Sequence, residues 1–183
     1  MKMHRKRARR HNGFSLLEAM IAIVVLSIGV LSLAAVYAQG IMYANLTQYD
    51  YIAEKKAEEA VETIFTARDT KVLTWSQITN VSLGGVFIDG PRPLLDPGPD
   101  GLVGTADDNA SLPDSIIIGP GPDGILGTAD DITVNLNPWM TRTITFSAVA
   151  GETNLRQITV TINYTMGKMQ RTYTLVSYIS AFA

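Results

Sequence analysis

An uncharged apolar segment near the N-terminus constrains this chain more than any other feature. No charged residue occurs between Glu18 and Asp50, and the 20 residues from Ala19 to Ala38 are apolar apart from two serines and a glycine. A helix of that length rises about 30 Å, the thickness of a bilayer's hydrocarbon core. The segment therefore predicts a membrane-spanning helix, although on hydropathy alone a plain single-pass anchor satisfies it.

The distribution of charge gives this helix a direction. Residues 1–13 carry six of the 15 Lys and Arg residues and none of the 17 acidic residues. Basic residues before an apolar helix favour the cytoplasmic side, so we expect a cytoplasmic N-terminus and an exported C-terminal part. Beyond residue 13, nine basic residues face 17 acidic ones, a net charge of −8. At that charge a nucleic-acid-binding surface is not expected.

Composition also bears on catalysis. The chain has no cysteine, and both histidines, His4 and His11, lie in the basic leader. The rest of the chain therefore offers no disulfide, no Cys/His zinc site and no nucleophile–histidine pair. We do not expect an enzyme.

Glu18 distinguishes this helix from a plain anchor. An acidic residue at the head of an apolar helix costs on the order of 2–3 kcal/mol if it lies at bilayer depth. Its neighbourhood reads Gly13-Phe14-Ser15-Leu16-Leu17-Glu18. Behind a short basic leader, this hexapeptide resembles the class III signal of type IV prepilins and pseudopilins. The resemblance implies cleavage by a prepilin peptidase between Gly13 and Phe14, N-methylation of Phe14, and pairing of Glu18 with the N-terminal amine of a neighbouring subunit.

The next stretch narrows the resemblance. Residues 16–34 read LLEAMIAIVVLSIGVLSLA, which is similar to the PilV type of minor pilin. Major pilins commonly carry a proline midway along this helix, where this chain has Ala35, and no proline occurs before Pro91. The resemblance therefore implies a structural minor pilin that is incorporated into a type IV pilus or primes its assembly.

That resemblance also implies a location and partners. The precursor would lie in the bacterial inner membrane, and the assembled protein in an extracellular or periplasmic filament. Its partners would be other pilin subunits, the prepilin peptidase and the inner-membrane assembly machinery. Two alternatives stay open: a pseudopilin of a type II secretion system, and a membrane-anchored calcium-binding or adhesive protein that does not polymerise.

The remaining pattern predicts an α+β head. Ala53, Ala57 and Ala60 recur at helical spacing, so the helix should continue to about Arg68. Three segments rich in Thr, Val, Ile and Tyr predict antiparallel strands at 141–149, 155–165 and 171–180, with hairpin turns at 151–154 and 167–168. We therefore expect the type IV pilin fold, in which a long N-terminal helix packs on a C-terminal antiparallel sheet.

These elements divide the chain into five parts. We predict a cleaved leader, a membrane or filament-core helix, an amphipathic half of the same helix, a variable region and a β-sheet, at residues 1–13, 14–41, 42–70, 71–140 and 141–183 respectively.

The variable region contains an internal repeat. Residues 98–108 read GPDGLVGTADD and residues 121–131 read GPDGILGTADD, an offset of 23. We name them the first loop and the second loop. Nine of the 17 acidic residues fall between Asp89 and Asp131, against the single base Arg92.

This composition predicts calcium as a ligand. Calcium takes about six to eight oxygen ligands and tolerates irregular geometry. Backbone carbonyls and seven carboxylates are the candidate ligands, namely Asp96, Asp100, Asp107, Asp108, Asp123, Asp130 and Asp131. The alternative needs no ion: Thr105 and Thr128 would be N-caps of short helical turns, with the following acids at the positive end of each turn.

Overall fold

The computed structural model describes residues 15–167 and 169–182. Within them, a long helix, α1 (Leu16–Asp69), is followed by a short 3-10 helix (Val81–Leu83) and eight strands. The strands are β1 (Arg92–Pro93), β2 (Leu95–Asp96), β3 (Asn109–Pro113), β4 (Ser115–Gly119), β5 (Ile132–Asn135), β6 (Met140–Val149), β7 (Glu152–Met166) and β8 (Met169–Ser180). The described residues divide into two compact units, with the boundary between residues 45 and 46, and α1 contributes to both.

In the second unit, α1 presents a stripe of small residues to the core. Ala53, Ala57 and Ala60 are fully buried, and Ile64 and Ala67 continue the stripe at three- and four-residue spacing. Alanine adds little bulk, so the helix backbone can approach the sheet closely. The stripe lies in the half of the helix predicted to be amphipathic, and α1 ends at Asp69, one residue beyond the expected Arg68.

The sheet beneath this helix is antiparallel, with strand order β1-β6-β7-β8. Its three long strands are the three predicted segments, each starting one to three residues earlier than expected. On β7, Ile158, Val160 and Ile162 are fully buried while the residues between them are not, as alternation predicts. Opposite them on β6, Ile144 pairs with Val160 and Phe146 with Ile158. The α+β architecture, a long helix packed on a C-terminal antiparallel sheet, is confirmed as pilin-like.

The predicted hairpin turns need a small correction. β7 already begins at Glu152, so the β6–β7 turn lies at Ala150 and Gly151 rather than over residues 151–154. Gly151 has a φ of 83°, a conformation that glycine adopts without strain, and it closes the hairpin sooner. In the β7–β8 turn, Gly167 has a φ of 59°, and Lys168 lies outside the described residues.

The variable region adds short strands that the pattern did not predict. β1 pairs Arg92 with Arg142 and Pro93 with Thr141, which makes it a fourth strand of the sheet. Proline donates no backbone hydrogen bond, so it suits this edge position. The other two pairs, β2–β3 and β4–β5, form separate two-stranded sheets.

A side chain substitutes for a neighbouring strand along part of β6. Asn80 is 4% exposed, and its Nδ2 donates to the carbonyl of Ile144 at 2.8 Å. Its Oδ1 accepts the N–H of Phe146 at 3.0 Å. The Asn80 amide therefore satisfies two buried backbone groups that would otherwise lose hydrogen-bond energy.

Ion pairs join the helix to the rest of the second unit. Lys56 lies 2.7 Å from Asp114, which directly precedes β4, and 2.8 Å from Glu59. Asp50 accepts a hydrogen bond from the hydroxyl of Tyr164 on β7 and lies 2.9 Å from Arg171 on β8. These contacts hold α1 to the sheet and to the variable region without any disulfide.

Candidate functional site

The first turn of α1 carries the predicted assembly residue. The N–H of Glu18 donates to Oγ of Ser15 at 3.4 Å, and the N–H of Ala19 donates to the Ser15 carbonyl at 3.1 Å. A serine followed three residues later by a glutamate is the sequence of a capping box. Ser15 thus defines the start of the helix, and Glu18 lies in the first turn, where the helix dipole favours an acid.

The cleavage site lies just before these residues. Gly13 and Phe14 fall outside the described residues, so cleavage and N-methylation stay predictions. The pairing of Glu18 with a neighbouring subunit also stays a prediction.

The helix that follows has no polar face. From residue 15 to residue 44, every side chain is exposed. An 18-residue window of α1 has a mean hydropathy of 2.7, and none of that window is buried. Within the described part of the chain, α1 is the one helix long and apolar enough to cross a membrane.

The serines inside this apolar segment are satisfied locally. The hydroxyl of Ser27 donates to the carbonyl of Ile23 at 2.7 Å, and that of Ser32 to the carbonyl of Ile28 at 2.8 Å. Such bonds to the preceding turn remove the hydroxyl's need for water, which lipid cannot supply.

In the head, the first and second loops share one pattern of internal hydrogen bonds. In the first loop, the N–H of Leu102 donates to Oδ1 of Asp100 at 2.8 Å, and the N–H of Gly104 to Oδ2 of Asp108 at 2.8 Å. The second loop repeats both bonds, Ile125 to Asp123 at 2.8 Å and Gly127 to Asp131 at 2.7 Å. In both loops, the aspartate side chains therefore stabilise the backbone conformation of their own loop.

The threonines of the loops do not cap helices. The hydroxyl of Thr105 donates to Oδ1 of Asp107 at 2.7 Å, and the hydroxyl of Thr128 donates to Oδ1 of Asp130 at 2.7 Å. An N-cap hydroxyl would instead accept a backbone N–H, and no helix follows either threonine. The structure therefore does not show the predicted N-cap bonds of Thr105 and Thr128. A turn does follow each threonine, and in the second loop the N–H of Asp131 donates to the carbonyl of Thr128 at 3.3 Å. The alternative of acidic loops that need no ion stays open.

Each loop begins with a glycine because its first residue packs directly against the backbone near the end of the loop. A Cβ on Gly98 would lie 2.3 Å from the carbonyl oxygen of Asp107, and one on Gly121 would lie 2.0 Å from that of Asp130. Any side chain at these positions would collide with backbone, which accounts for the same glycine in both copies.

The two loops differ in what surrounds them. In the first loop, Leu102 and Val103 are 3% and 0% exposed. In the second loop, the equivalent Ile125 and Leu126 are 60% and 64% exposed. Nearly identical sequences with the same internal bonds therefore lie in opposite environments.

The first loop is held by three kinds of contact. Val103 belongs to the hydrophobic core of the head. The carbonyl of Gly104 accepts the N–H of Ile88 at 2.8 Å. Asp108 lies near Arg142, whose side chain is inside the head and only 3% exposed.

Arg142 is a buried charge that the sequence analysis missed. Its Nη1 has no hydrogen-bond partner among the described residues. Burial lowers the pKa of Arg142, and the negative charges of Glu59, Asp108 and Asp114 oppose that shift. Burial likewise raises the pKa of Asp108, against its bonds to Gly104 and Thr105 and the charge of Arg142. A sequence cue existed, since Arg142 occupies the inward phase of β6 between Met140 and Ile144.

The predicted calcium ligands come together only in part: Asp96, Asp107 and Asp108 line one open groove. Asp96 lies in β2, and the other six lie in the two loops. In the described part of the chain, no group of three or more His, Asp or Glu side chains is placed to hold a metal ion. Instead, the threonine hydroxyls lower the pKa of Asp107 and of Asp130, as hydrogen bonds to the charged form do. Calcium binding stays a prediction.

Comparison with known proteins identifies the N-terminal segment. A family model described as the prokaryotic N-terminal methylation motif matches residues 8–34. No significant match was found among curated proteins or solved structures. The matched motif is consistent with a type IV pilin-like protein, and together with the apolar helix it indicates a membrane-anchored precursor of the pilin or pseudopilin kind. Proteins of this kind work with pilus or secretion machinery.

Proposed function

We propose that this protein is a minor pilin precursor, cut between Gly13 and Phe14, methylated at Phe14, and then incorporated into a type IV pilus or used to prime one. The observation that carries the proposal is Glu18, an acid in the first turn of α1 and inside the methylation motif, because residues 15–44 are otherwise uncharged and every one of them is exposed. A helix with no polar face requires lipid or other apolar helices around it. Membrane insertion would surround this segment with lipid, and packing into a filament would then surround it with the apolar helices of other subunits.

Glu18 gives this assembly its chemistry. Cleavage after Gly13 creates a new cationic amine at Phe14, close to the depth of the acid. In apolar surroundings an unpaired carboxylate is costly, and a nearby ammonium offsets that cost. Pairing Glu18 with the amine of the neighbouring subunit therefore favours one axial register between packed helices.

The direction of insertion follows from the charges. The basic leader would keep the N-terminus in the cytoplasm, and the head would be exported across the inner membrane. The partners on this route are the prepilin peptidase, the inner-membrane assembly machinery and the other pilin subunits. The proposed role is structural rather than enzymatic, because the chain beyond residue 13 has no histidine or cysteine.

The similarity of residues 16–34 to PilV-type helices and the absence of a proline before Pro91 support a minor subunit. A pseudopilin of a type II secretion system is the second candidate, and the methylation motif fits it equally. A non-polymerising calcium-binding or adhesive anchor is the third.

We also propose Ca²⁺ as a ligand of the two loops, because the region between Arg92 and Arg142 contains eight aspartates and no base. Calcium would take carboxylate and carbonyl oxygens of residues 96–108 and 121–131. Binding requires some carboxylates to leave their present N–H and hydroxyl donors, which weakens the ion's net affinity.

Mass spectrometry of the protein from its native host tests the proposed processing. The expected N-terminus is N-methylated Phe14, and an intact leader at steady state would overturn both the pilin and the pseudopilin proposals. Glu18→Ala should keep the cleaved N-terminus and lose filament incorporation, measured by immunoblot of sheared filaments. Glu62→Ala, an exposed acid further along α1, is the matched control and should behave as wild type. Loss of protein secretion with intact pili in a deletion strain would instead support the pseudopilin.

A further inference from the structure

The second loop is folded like the first but lacks the contacts that hold the first. Its apolar pair, Ile125 and Leu126, is 60% and 64% exposed. The strands that carry this loop add further exposed apolar side chains, Ile117 at 50%, Ile118 at 52% and Ile132 at 54%. Exposed apolar residues concentrated on one hairpin are typical of an interaction surface.

A second observation concerns charge. Oδ1 of Asp131 is shielded from solvent and has no hydrogen-bond partner among the described residues. Its equivalent in the first loop, Oδ1 of Asp108, accepts from the N–H and the hydroxyl of Thr105 and lies near Arg142. No basic residue occurs between residues 93 and 141, so the hairpin has no cation of its own.

The contacts of the first loop indicate which kind of surface a loop with this fold can bind. Its apolar pair enters a hydrophobic core, its glycine carbonyl accepts a backbone N–H, and its last aspartate lies beside an arginine. We propose that the second loop is a docking element for another polypeptide that presents an apolar depression beside an arginine or lysine. The first loop contacts such a surface within its own chain, and the second loop would contact one on a partner protein.

The charges determine which class of occupant fits. A second copy of the chain is disfavoured, because beyond residue 13 nine basic residues face 17 acidic ones and like charges repel. An anionic membrane surface is disfavoured for the same reason. A different protein with a basic rim around an apolar pocket complements both the apolar pair and Asp131. This proposal goes beyond the pilin role and does not depend on it.

Photo-crosslinking in the native host tests the proposal with the full-length protein. A photoreactive phenylalanine analogue at position 125 should give a discrete adduct with a second protein, and the crosslinked peptide should contain Arg or Lys next to apolar residues. The same analogue at Leu83, which is 67% exposed on a different part of the head, is the matched control and should give no such adduct.

Asp131→Asn supplies the discriminating variant. The asparagine oxygen can still accept the N–H groups of Gly127 and Thr128, so the loop should keep its fold. Loss of the charge should lower adduct yield on the order of tenfold, as removal of one close interfacial charge pair predicts. Glu152→Gln, an exposed acid at the start of β7, should leave the yield unchanged.

Several results would overturn the proposal. They are no adduct from position 125, an adduct only with a second copy of the chain, and a yield indifferent to Asp131→Asn. Loss of the adduct on addition of EGTA, with Asp131 intact, would show that a metal rather than a direct contact is responsible. N-terminal processing at Phe14 is read in the same samples, so failure of the docking proposal is distinguishable from failure of the pilin proposal.

Discussion

The two loops have nearly the same sequence but different environments, so the same side-chain truncation can be compared in both. Leu102→Ala and Ile125→Ala each remove three side-chain carbons from equivalent positions. Leu102 is 3% exposed and Ile125 is 60% exposed. The internal hydrogen bond of each loop uses the backbone N–H of these residues, so both variants keep it.

The structure gives the expected magnitudes. Three buried carbons at about 0.8 kcal/mol each amount to roughly 2.4 kcal/mol, and a cavity term adds to this. Leu102 borders an open groove of about 370 Å³, lined also by Glu59, Thr63 and Ala67, so solvent can fill part of the space left by the deletion. We therefore expect Leu102→Ala to lower the free energy of unfolding by about 2–3 kcal/mol, near the low end for a core leucine. For Ile125→Ala we expect less than about 1 kcal/mol.

Urea denaturation of a soluble fragment beginning at Leu46 measures both values. This fragment corresponds to the second compact unit, which contains the whole described hydrophobic core. In thermal denaturation of the same fragment, Leu102→Ala should lower the melting temperature by roughly 5–10 °C. Equal destabilisation by the two variants would refute the reasoning, since it would mean that the second loop is packed as the first is. A neutral Leu102→Ala would refute it as well.

Three further predictions concern other parts of the molecule. Glu18→Gln, which keeps the size of the side chain and removes its charge, should leave cleavage after Gly13 intact and reduce the amount of protein in sheared filaments at least about tenfold, since an unpaired amine in apolar surroundings costs more than 1.4 kcal/mol; undiminished incorporation would contradict the role of Glu18. Saturating Ca²⁺ should raise the melting temperature of the soluble fragment, EGTA should reverse the rise, and Asp123→Asn combined with Asp130→Asn should reduce it; no shift in the wild-type fragment would count against both loops as calcium sites. Burial and the hydrogen bond to Asp50 raise the pKa of Tyr164 to about 12. Because this folded-state pKa lies above the unfolded value near 10, the stabilisation by Tyr164 is present below about pH 10 and is lost as the pH rises towards 12. The free energy of unfolding of Tyr164→Phe should therefore fall less than that of the wild type between about pH 10 and 12, and identical alkaline profiles of the two proteins would contradict this.

Much of the fold could be predicted because its causes are local. A long uncharged run predicts a membrane helix whatever else the chain does. The alternation of Ile158, Val160 and Ile162 predicts a strand with one buried face, and the spacing of Ala53, Ala57 and Ala60 predicts the buried side of α1. In each case the periodicity of the backbone converts a one-dimensional pattern into a face.

Other features depend on residues far apart in sequence. The edge of β6 is completed by the side chain of Asn80, more than 60 positions before its partner Ile144. Lys56 on α1 pairs with Asp114 in the variable region, at a separation of 58 residues. No local periodicity encodes such contacts, and short strands such as β1 exist only because the neighbouring strand is already there.

The sequence by itself therefore determined the N-terminal methylation motif, the uncharged apolar segment that follows Glu18, the three long strands and the internal geometry of the duplicated loop. That geometry is local, because each aspartate bonds to backbone groups two to seven positions away, and the same residues fold in the same way twice. Only the tertiary structure decided that Val103 is buried while Leu126 is exposed. Burial depends on what the rest of the chain places against a loop: the core packs against the apolar pair of the first copy and leaves that of the second exposed to solvent.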